Sequence, residues 1–138
     1  MNFTGIRHVH LLVAEHDRSA AFYTRAFGMA EVFRAGPLVL LGTPGGGDTL
    51  ALHVAGTEEE RARAGLQGGV EHFGIHLAEA SAAAVDEAVR RVEQAGGRPV
   101  ERGEHGPGLP YAFVADPDGY TIEISGPGPV AFTPPAAR

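Results

Sequence analysis

Three residues with metal-ligating side chains stand on segments that alternate like strands. They are His8 in His8-Val9-His10-Leu11-Leu12-Val13, His72 in the stretch Glu71 to Leu77, and Glu123 in Tyr120 to Ser125. Successive strand side chains point to opposite faces, so residues two apart share a side. If Val9, Leu11 and Val13 pack into the core, the other face carries His8, His10 and Leu12. By the same rule Phe73, Ile75 and Leu77 leave His72, Gly74 and His76 facing away, and Ile122 and Ile124 leave Thr121, Glu123 and Ser125. The alternation aims His8, His72 and Glu123 into one cavity. Two neutral imidazoles and a carboxylate form the facial triad that holds Fe(II), and they also suit Mn(II), Ni(II), Co(II) or Zn(II). Three protein ligands leave positions open for substrate and water, the pattern of a catalytic site rather than a closed structural one. A single histidine on such a strand is an ordinary pocket residue. The case rests on three coinciding, and on the cost of a carboxylate between two isoleucines unless it is paired or metal-bound.

Three other groups carry chemistry. His10, His53 and His76 are expected in the same cup, where each acts as a general base or simply hydrogen-bonds within the pocket. His53 has a further reading as a metal ligand. His16 precedes a helix and reads as surface. Gly45-Gly46-Gly47 lacks the Lys-Ser/Thr of a phosphate loop and reads as a hairpin turn.

The elements that must position these groups occur twice. In the first half, Ile6 to Val13 reads as a strand, and Asp17 can cap a helix over Arg18 to Phe27 that stops at Gly28. Strands follow at Glu31 to Arg34, Leu38 to Leu41 and Thr49 to Val54. In the second half, Glu71 to Leu77 is a strand, and Ser81 caps a helix with Val85, Ala88, Val89 and Val92 at i, i+3, i+4, i+7. Gly96-Gly97 ends that helix. Pro99 to Arg102, Tyr111 to Ala115 and Tyr120 to Ser125 are strands, the last two joined by a type I turn at Asp116-Pro117-Asp118-Gly119. Glu58-Glu59-Glu60-Arg61 adds a short solvated helix between the halves. The predicted fold is α+β: two βαβββ modules, about 5–54 and 70–125, forming a curved mixed-sheet cup with helices outside. The whole is expected to be a single domain, 1–138, with a Pro-rich tail at 126–138. A concave sheet face is where small ligands sit.

Composition removes several function classes. All eleven basic residues are Arg, the net charge is −6 and no basic stripe appears, which argues against nucleic acid as the partner. Cys is absent, which excludes disulfides, thiolate metal sites and cysteine nucleophiles. No apolar run approaches the ~18 residues a membrane span needs. The N-terminal residues have no basic stretch ahead of an apolar one, so no signal peptide is read and a cytoplasmic protein is expected.

His8-Val9-His10-Leu11-Leu12-Val13, then Ser19, Phe22-Tyr23 and Phe27-Gly28, resembles the opening of the vicinal-oxygen-chelate superfamily, which includes the glyoxalase, bleomycin-resistance and extradiol-dioxygenase proteins. Asp116-Pro117-Asp118-Gly119-Tyr120-Thr121-Ile122-Glu123 resembles its closing motif. The resemblance runs from Ile6 to Ser125 and implies metal ligands at His8, His72 and Glu123, the set that strand alternation also selects. Superposing the halves sets Ala51 where glyoxalase I and methylmalonyl-CoA epimerase carry a fourth ligand, which makes both activities doubtful. Gly103-Glu104-His105 looks partly like the extradiol signature, except that Phe113 stands where the resemblance implies a Tyr donating to substrate, with Tyr111 as the candidate catalytic substitute. His105 is thereby a further candidate. The function implied is that of a divalent-metal-dependent lyase, isomerase or dioxygenase type of protein, a homodimer by analogy with family members, acting on a small oxygenated substrate. The other reading is a bleomycin-resistance-like protein that binds a drug in the cup without catalysis. Family members of that kind generally lack the ligand set. A degenerate member with neither metal nor activity is the third.

Overall fold

The computed structural model describes residues 8–126. The tail read from 126 onward lies, apart from Gly126, outside the described residues, as do Ile6 and Arg7 of the first predicted strand. The first module runs β1 (His8–Val13), α1 (His16–Phe27), β2 (Ala30–Ala35), β3 (Leu38–Gly42) and β4 (Thr49–Val54). A short helix α2 (Glu58–Arg63) and a 3-10 turn (Gly65–Gly68) lead to the second module. That module is β5 (Phe73–His76), α3 (Ala82–Gln94), β6 (Arg98–Glu104), β7 (Pro110–Ala115) and β8 (Thr121–Ser125). The order βαβββ therefore appears twice.

Each module closes the same way. The sheet orders are β1-β4-β3-β2 and β5-β8-β7-β6, with β1 parallel to β4, β5 parallel to β8, and the other pairs antiparallel. A parallel pair needs a crossover, and here the helix and two strands supply it. The two sheets stay open, with α1 packed on β2, β3 and β4 and α3 on β6, β7 and β8. Alternation decides the faces: in β8, Ile122 and Ile124 are buried while Thr121, Glu123 and Ser125 are partly exposed. The outer strands β2 and β6 are exposed almost throughout.

Both helices end and begin for local reasons. Gly28 caps α1 in the left-handed conformation (φ 69°), donating its N–H to the Thr24 and Tyr23 carbonyls. Ser81 caps α3 by accepting from the Ala84 N–H. The helix α1 starts at His16 without the Asp17 side-chain cap that the sequence suggests; Glu15 is its N-cap and no side chain caps it. Asp17 instead pairs with Arg34 at 2.7 Å. The strand expected over Glu71 to Leu77 narrows to Phe73–His76, because only those four residues find ladder partners on β8.

One hydrophobic cluster joins the modules. Leu11, Val13, Phe22, Tyr23, Leu41 and Leu52 from the first pack in the same cluster as Ala88, Val92, Val114, Ile122 and Ile124 from the second. Burying each large side chain contributes roughly 1.5–3 kcal/mol. The packing is close at Gly97, where an added Cβ would lie 2.7 Å from Phe22 Cε2 and 2.6 Å from Val92 Cγ1. Polar contacts tie the same seam. Tyr23 donates its hydroxyl to Asp116 Oδ2 (2.8 Å), and Asp118 accepts from Ala14 N–H (2.9 Å), Arg18 (3.1 Å) and the Ser19 hydroxyl (3.0 Å). Tyr120 donates to the Leu12 carbonyl at 2.8 Å.

Candidate functional site

The chemistry-bearing side chains fall into two groups, one on the inner face of each module. On the second module, Glu123 sits in the middle of β8, in register with Gly74 on one side and Phe113 on the other. His72 immediately precedes β5 and lies two residues before Gly74, so its ring reaches the same face. Its Nε2 is 3.3 Å from Glu123 Oε2, while its Nδ1 is hydrogen-bonded to the Glu71 carboxylate. A carboxylate can only accept, so Nδ1 carries the proton. Nε2 faces Glu123 Oε2, to which it donates when both ring nitrogens carry protons and toward which it presents a lone pair when only Nδ1 does. In the second form two electron-pair donors stand at a spacing that two ligands of one divalent ion can share, and the outer carboxylate on the far nitrogen is the arrangement metal-bound histidines have. The pair fits a cation in donor type and orientation.

His105, at the tip of the β6–β7 hairpin, donates its Nε2–H to the other oxygen of Glu123, Oε1, at 2.6 Å. The hairpin tip holds it through His105 N–H to Leu109 O (3.0 Å) and Leu109 N–H to Gly106 O (3.0 Å). Its ring stacks on Tyr111 with centroids 4.2 Å apart and planes 16° from parallel. Tyr111 in turn donates its hydroxyl to Glu101 Oε1 at 2.6 Å, a bond that raises the phenol above its ordinary pKa. Phe113 completes the face, 5.0 Å from the His72 ring. The sequence singled out His105 through its neighbours Gly103 and Glu104, but its pairing with Glu123 depends on the hairpin. A register shift between Pro99 and Glu101 sets that hairpin's course, and single-residue patterns do not reveal such shifts.

The first module carries His8, His10 and His53. His10 Nε2 and His53 Nδ1 are 3.2 Å apart across the parallel β1–β4 pair. Burial, then the neighbouring His53 and His8, hold His10 below the ordinary imidazole pKa. His8 and His10 line a cavity of about 310 Å³ with Leu38, Leu40, Thr49 and Ala51. His8 also borders a crevice between the modules that reaches Phe73, Gly74 and Ile75 of β5. His76 lies apart from these, lining a cavity with His105, Leu109 and Ser125. His16 bonds the Gly36 carbonyl at 3.3 Å, beside the first hairpin.

Of the three residues with metal-ligating spacing, the structure brings His72 and Glu123 together and leaves His8 on the other module. Among the described residues no three His, Asp or Glu side chains gather in a geometry that would hold one ion. Residues 5–124 match the Glyoxalase/Bleomycin resistance protein/Dioxygenase superfamily. The chain belongs to that superfamily. This superfamily member also resembles solved structures in fold. A glyoxalase-related enzyme from Fulvimarina pelagi superposes with TM-score 0.67 at 22% identity, over 91% of this chain and 89% of that one. Lactoylglutathione lyase from Agrobacterium tumefaciens gives TM-score 0.65 at 22% identity, over 91% and 96%. A superfamily protein from Sphaerobacter thermophilus gives 0.68 at 17% identity, over 91% and 98%. At these identities the likeness is one of fold. No curated protein matches the chain by sequence. No helix among the described residues is long and apolar enough to cross a membrane.

Proposed function

We propose that this superfamily member is a divalent-metal-dependent protein that acts on a small oxygenated substrate, with His8, His72 and Glu123 as ligands. The observation that carries the reading is the His72 Nε2–Glu123 Oε2 pair, with Glu71 fixing the proton on the far nitrogen. When bound, the ion supplies Lewis-acid polarisation of a substrate oxygen. The chain's own groups do the rest. His105 and Glu71 orient the two ligands from outside, Phe113 and Tyr111 wall the face, and His10, His53 or His76 is positioned to move a proton. Ala51, in register with His10, leaves no fourth carboxylate on β4. We therefore infer that the lactoylglutathione lyase reaction is not its activity.

His8 stands on the other module, so we propose a homodimer in which His8 of one copy completes the His72–Glu123 pair of the other. The open inner faces and the lack of a three-donor cluster among the described residues of one chain support this. The metal content of protein purified without chelator tests the ligand set: His8→Ala, His72→Ala and Glu123→Ala should each abolish most of it, and wild-type content in all three would refute it. Mixing unfolded His8→Ala and Glu123→Ala chains and refolding them tests the sharing. Random pairing makes half the dimers mixed, each with one intact site, so about a quarter of wild-type occupancy should return. No recovery, with both parents dimeric, would refute a shared site. One observation favours a second reading, drug binding without metal: the absence of three converging donors among the described residues of one chain. Wild-type protein free of metal after exposure to Fe(II), Mn(II), Ni(II) and Zn(II) would support it.

A further inference from the structure

The first module holds a histidine pair that the reading above does not use as ligands. His10 projects from β1 and His53 from β4, adjacent strands in a six-residue parallel ladder that runs from His8–Thr49 to Val13–Val54. Both side chains are on the inner face. The residue in register with His10 is Ala51, whose methyl leaves the space over which the two rings meet. The ring centroids are 5.3 Å apart, with planes 49° to one another. The facing nitrogens, His10 Nε2 and His53 Nδ1, are 3.2 Å apart. That is the span two metal–nitrogen bonds of about 2.0–2.1 Å subtend near a tetrahedral angle. His10 is exposed and lines the cavity, and His53 is half-buried, so the His10 ring can be reached from solvent and can turn its lone pair toward an ion.

We propose that His10 and His53 form a second metal site, a two-nitrogen chelate for a borderline divalent cation, Cu(II) above all. Imidazole nitrogens suit such ions, and affinity rises along the first-row series to a maximum at copper. Two rigid strands fix the spacing in advance, so little conformational freedom is lost on binding. Of the other residues around the cavity, Thr49 offers a hydroxyl and His8 an imidazole, while Leu38, Leu40 and Ala51 offer no donor, so water fills the positions the two rings leave. His8 is on the same strand face two residues away. His53 shares the closer contact and is the partner assigned here. The site is independent of the His72–Glu123 pair, which lies on the other module.

The experiment uses the full chain with Glu123→Ala, which removes the proposed principal centre. Cu(II) alone is titrated in by calorimetry, and the bound ion is examined by electron paramagnetic resonance. One copper per chain is expected, with superhyperfine structure from two nitrogens. Adding His53→Ala, or separately His10→Gln, should weaken binding about tenfold or more and reduce the coupled nitrogens to one. Adding His8→Ala should change neither. The inference is overturned if copper binding and nitrogen count survive loss of His53, or if they follow His8 instead. Failure of the principal centre leaves this outcome untouched, because that centre is already deleted in every variant tested. Circular dichroism on each variant separates lost binding from lost fold. Should His53→Ala unfold, His53→Asn takes its place.

Discussion

Asp118 is the residue whose removal should loosen the two modules from each other most directly. Its side chain is 5% exposed, and it accepts three hydrogen bonds, all from the first module: Ala14 N–H (2.9 Å), Arg18 (3.1 Å) and the Ser19 hydroxyl (3.0 Å). The three are unequal. Ser19 is fully buried, so Asp118→Ala strands its hydroxyl at a cost of about 1–3 kcal/mol. The Ala14 amide is on an exposed residue and recovers water, so its bond is worth about 0.5–1 kcal/mol. Arg18 is 43% exposed, which puts that ion pair in the range of about 0–1 kcal/mol. The sum is about 1.5–5 kcal/mol, or roughly 5–17 °C in Tm for a chain of this size. Asp118→Asn keeps one acceptor oxygen, and its amide can donate to the Ser19 oxygen, so it should lose only about 1 kcal/mol. Urea unfolding of both variants measures this, with Glu87→Ala as a control, because the Glu87–Arg90 pair is about 60% exposed on both sides and should shift stability by under about 0.5 kcal/mol. If Asp118→Ala falls within 1 kcal/mol of wild type, or if Asn is as damaging as Ala, the contacts do not clasp the modules as argued.

Tyr23→Phe tests the buried pair beside it. Burial raises the Asp116 pKa, and the Tyr23 hydroxyl holds it down, so the variant should push it further up in a carboxyl-resonance NMR titration. A raised folded pKa contributes stability below the unfolded value near 3.8 that is lost as pH rises through the folded one. The variant's deficit against wild type should thus be largest at neutral pH and shrink on acidification; a deficit independent of pH would refute the coupling. Given the metal centre proposed above, His105→Ala should weaken metal binding about tenfold to a hundredfold by freeing Glu123 Oε1. His105→Gln, which can still donate, should restore most of it in a metal titration, and equal affinity in all three proteins would rule out a positioning role. Gly97→Ala should destabilise by about 1–3 kcal/mol, because its Cβ would meet Phe22, Val92 and the Ala115 carbonyl at 2.6–2.7 Å; thermal unfolding unchanged from wild type would show that the seam can relax.

The alternation of β1, β5 and β8 made the inner faces legible, since period two follows from the pleat and a buried face cannot slip by one residue without turning Ile122 and Ile124 outward. Helix limits were legible where a cap has a unique donor or backbone need, as at Ser81 and Gly28, and not at Asp17, where Arg34 from β2 competes for the carboxylate. The repeat was legible because both halves run through the same order of strand and helix patterns. What could not be read were contacts set by tertiary approach. The Asp118 clasp joins residues about a hundred positions apart, and His105 reaches Glu123 only through a hairpin whose register shifts. His10 and His53 were each legible as inner-face histidines, but their pairing needs β1 to lie beside β4, a parallel neighbour that sequence order does not supply.

The distribution of stabilising contacts bears on why the donors are divided. The shared hydrophobic cluster, the close approach at Gly97, and the Tyr23–Asp116 and Asp118 bonds all lie on the helix-covered side or at the seam. On the inner faces, side-chain hydrogen bonds stay within a module: His10 with His53, His105 with Glu123, Tyr111 with Glu101. The modules are thus fixed to each other from behind while their ligand-bearing faces remain free. Such a chain can change a residue such as Ala51 on the inner face without disturbing the core that Leu50 and Leu52, on the same strand, help to fill. The same separation makes the shared-site dimer testable by stability alone. If a second copy covers the inner faces, His8→Ala and Glu123→Ala should leave the unfolding free energy of the isolated chain near that of wild type. In a His53→Ala background, which removes the second site, added metal should then stabilise only the dimer that keeps His8 and Glu123, by an amount that grows with metal concentration. Stabilisation of that His53→Ala protein by metal at dilutions where it is monomeric would place the whole ligand set within one chain instead.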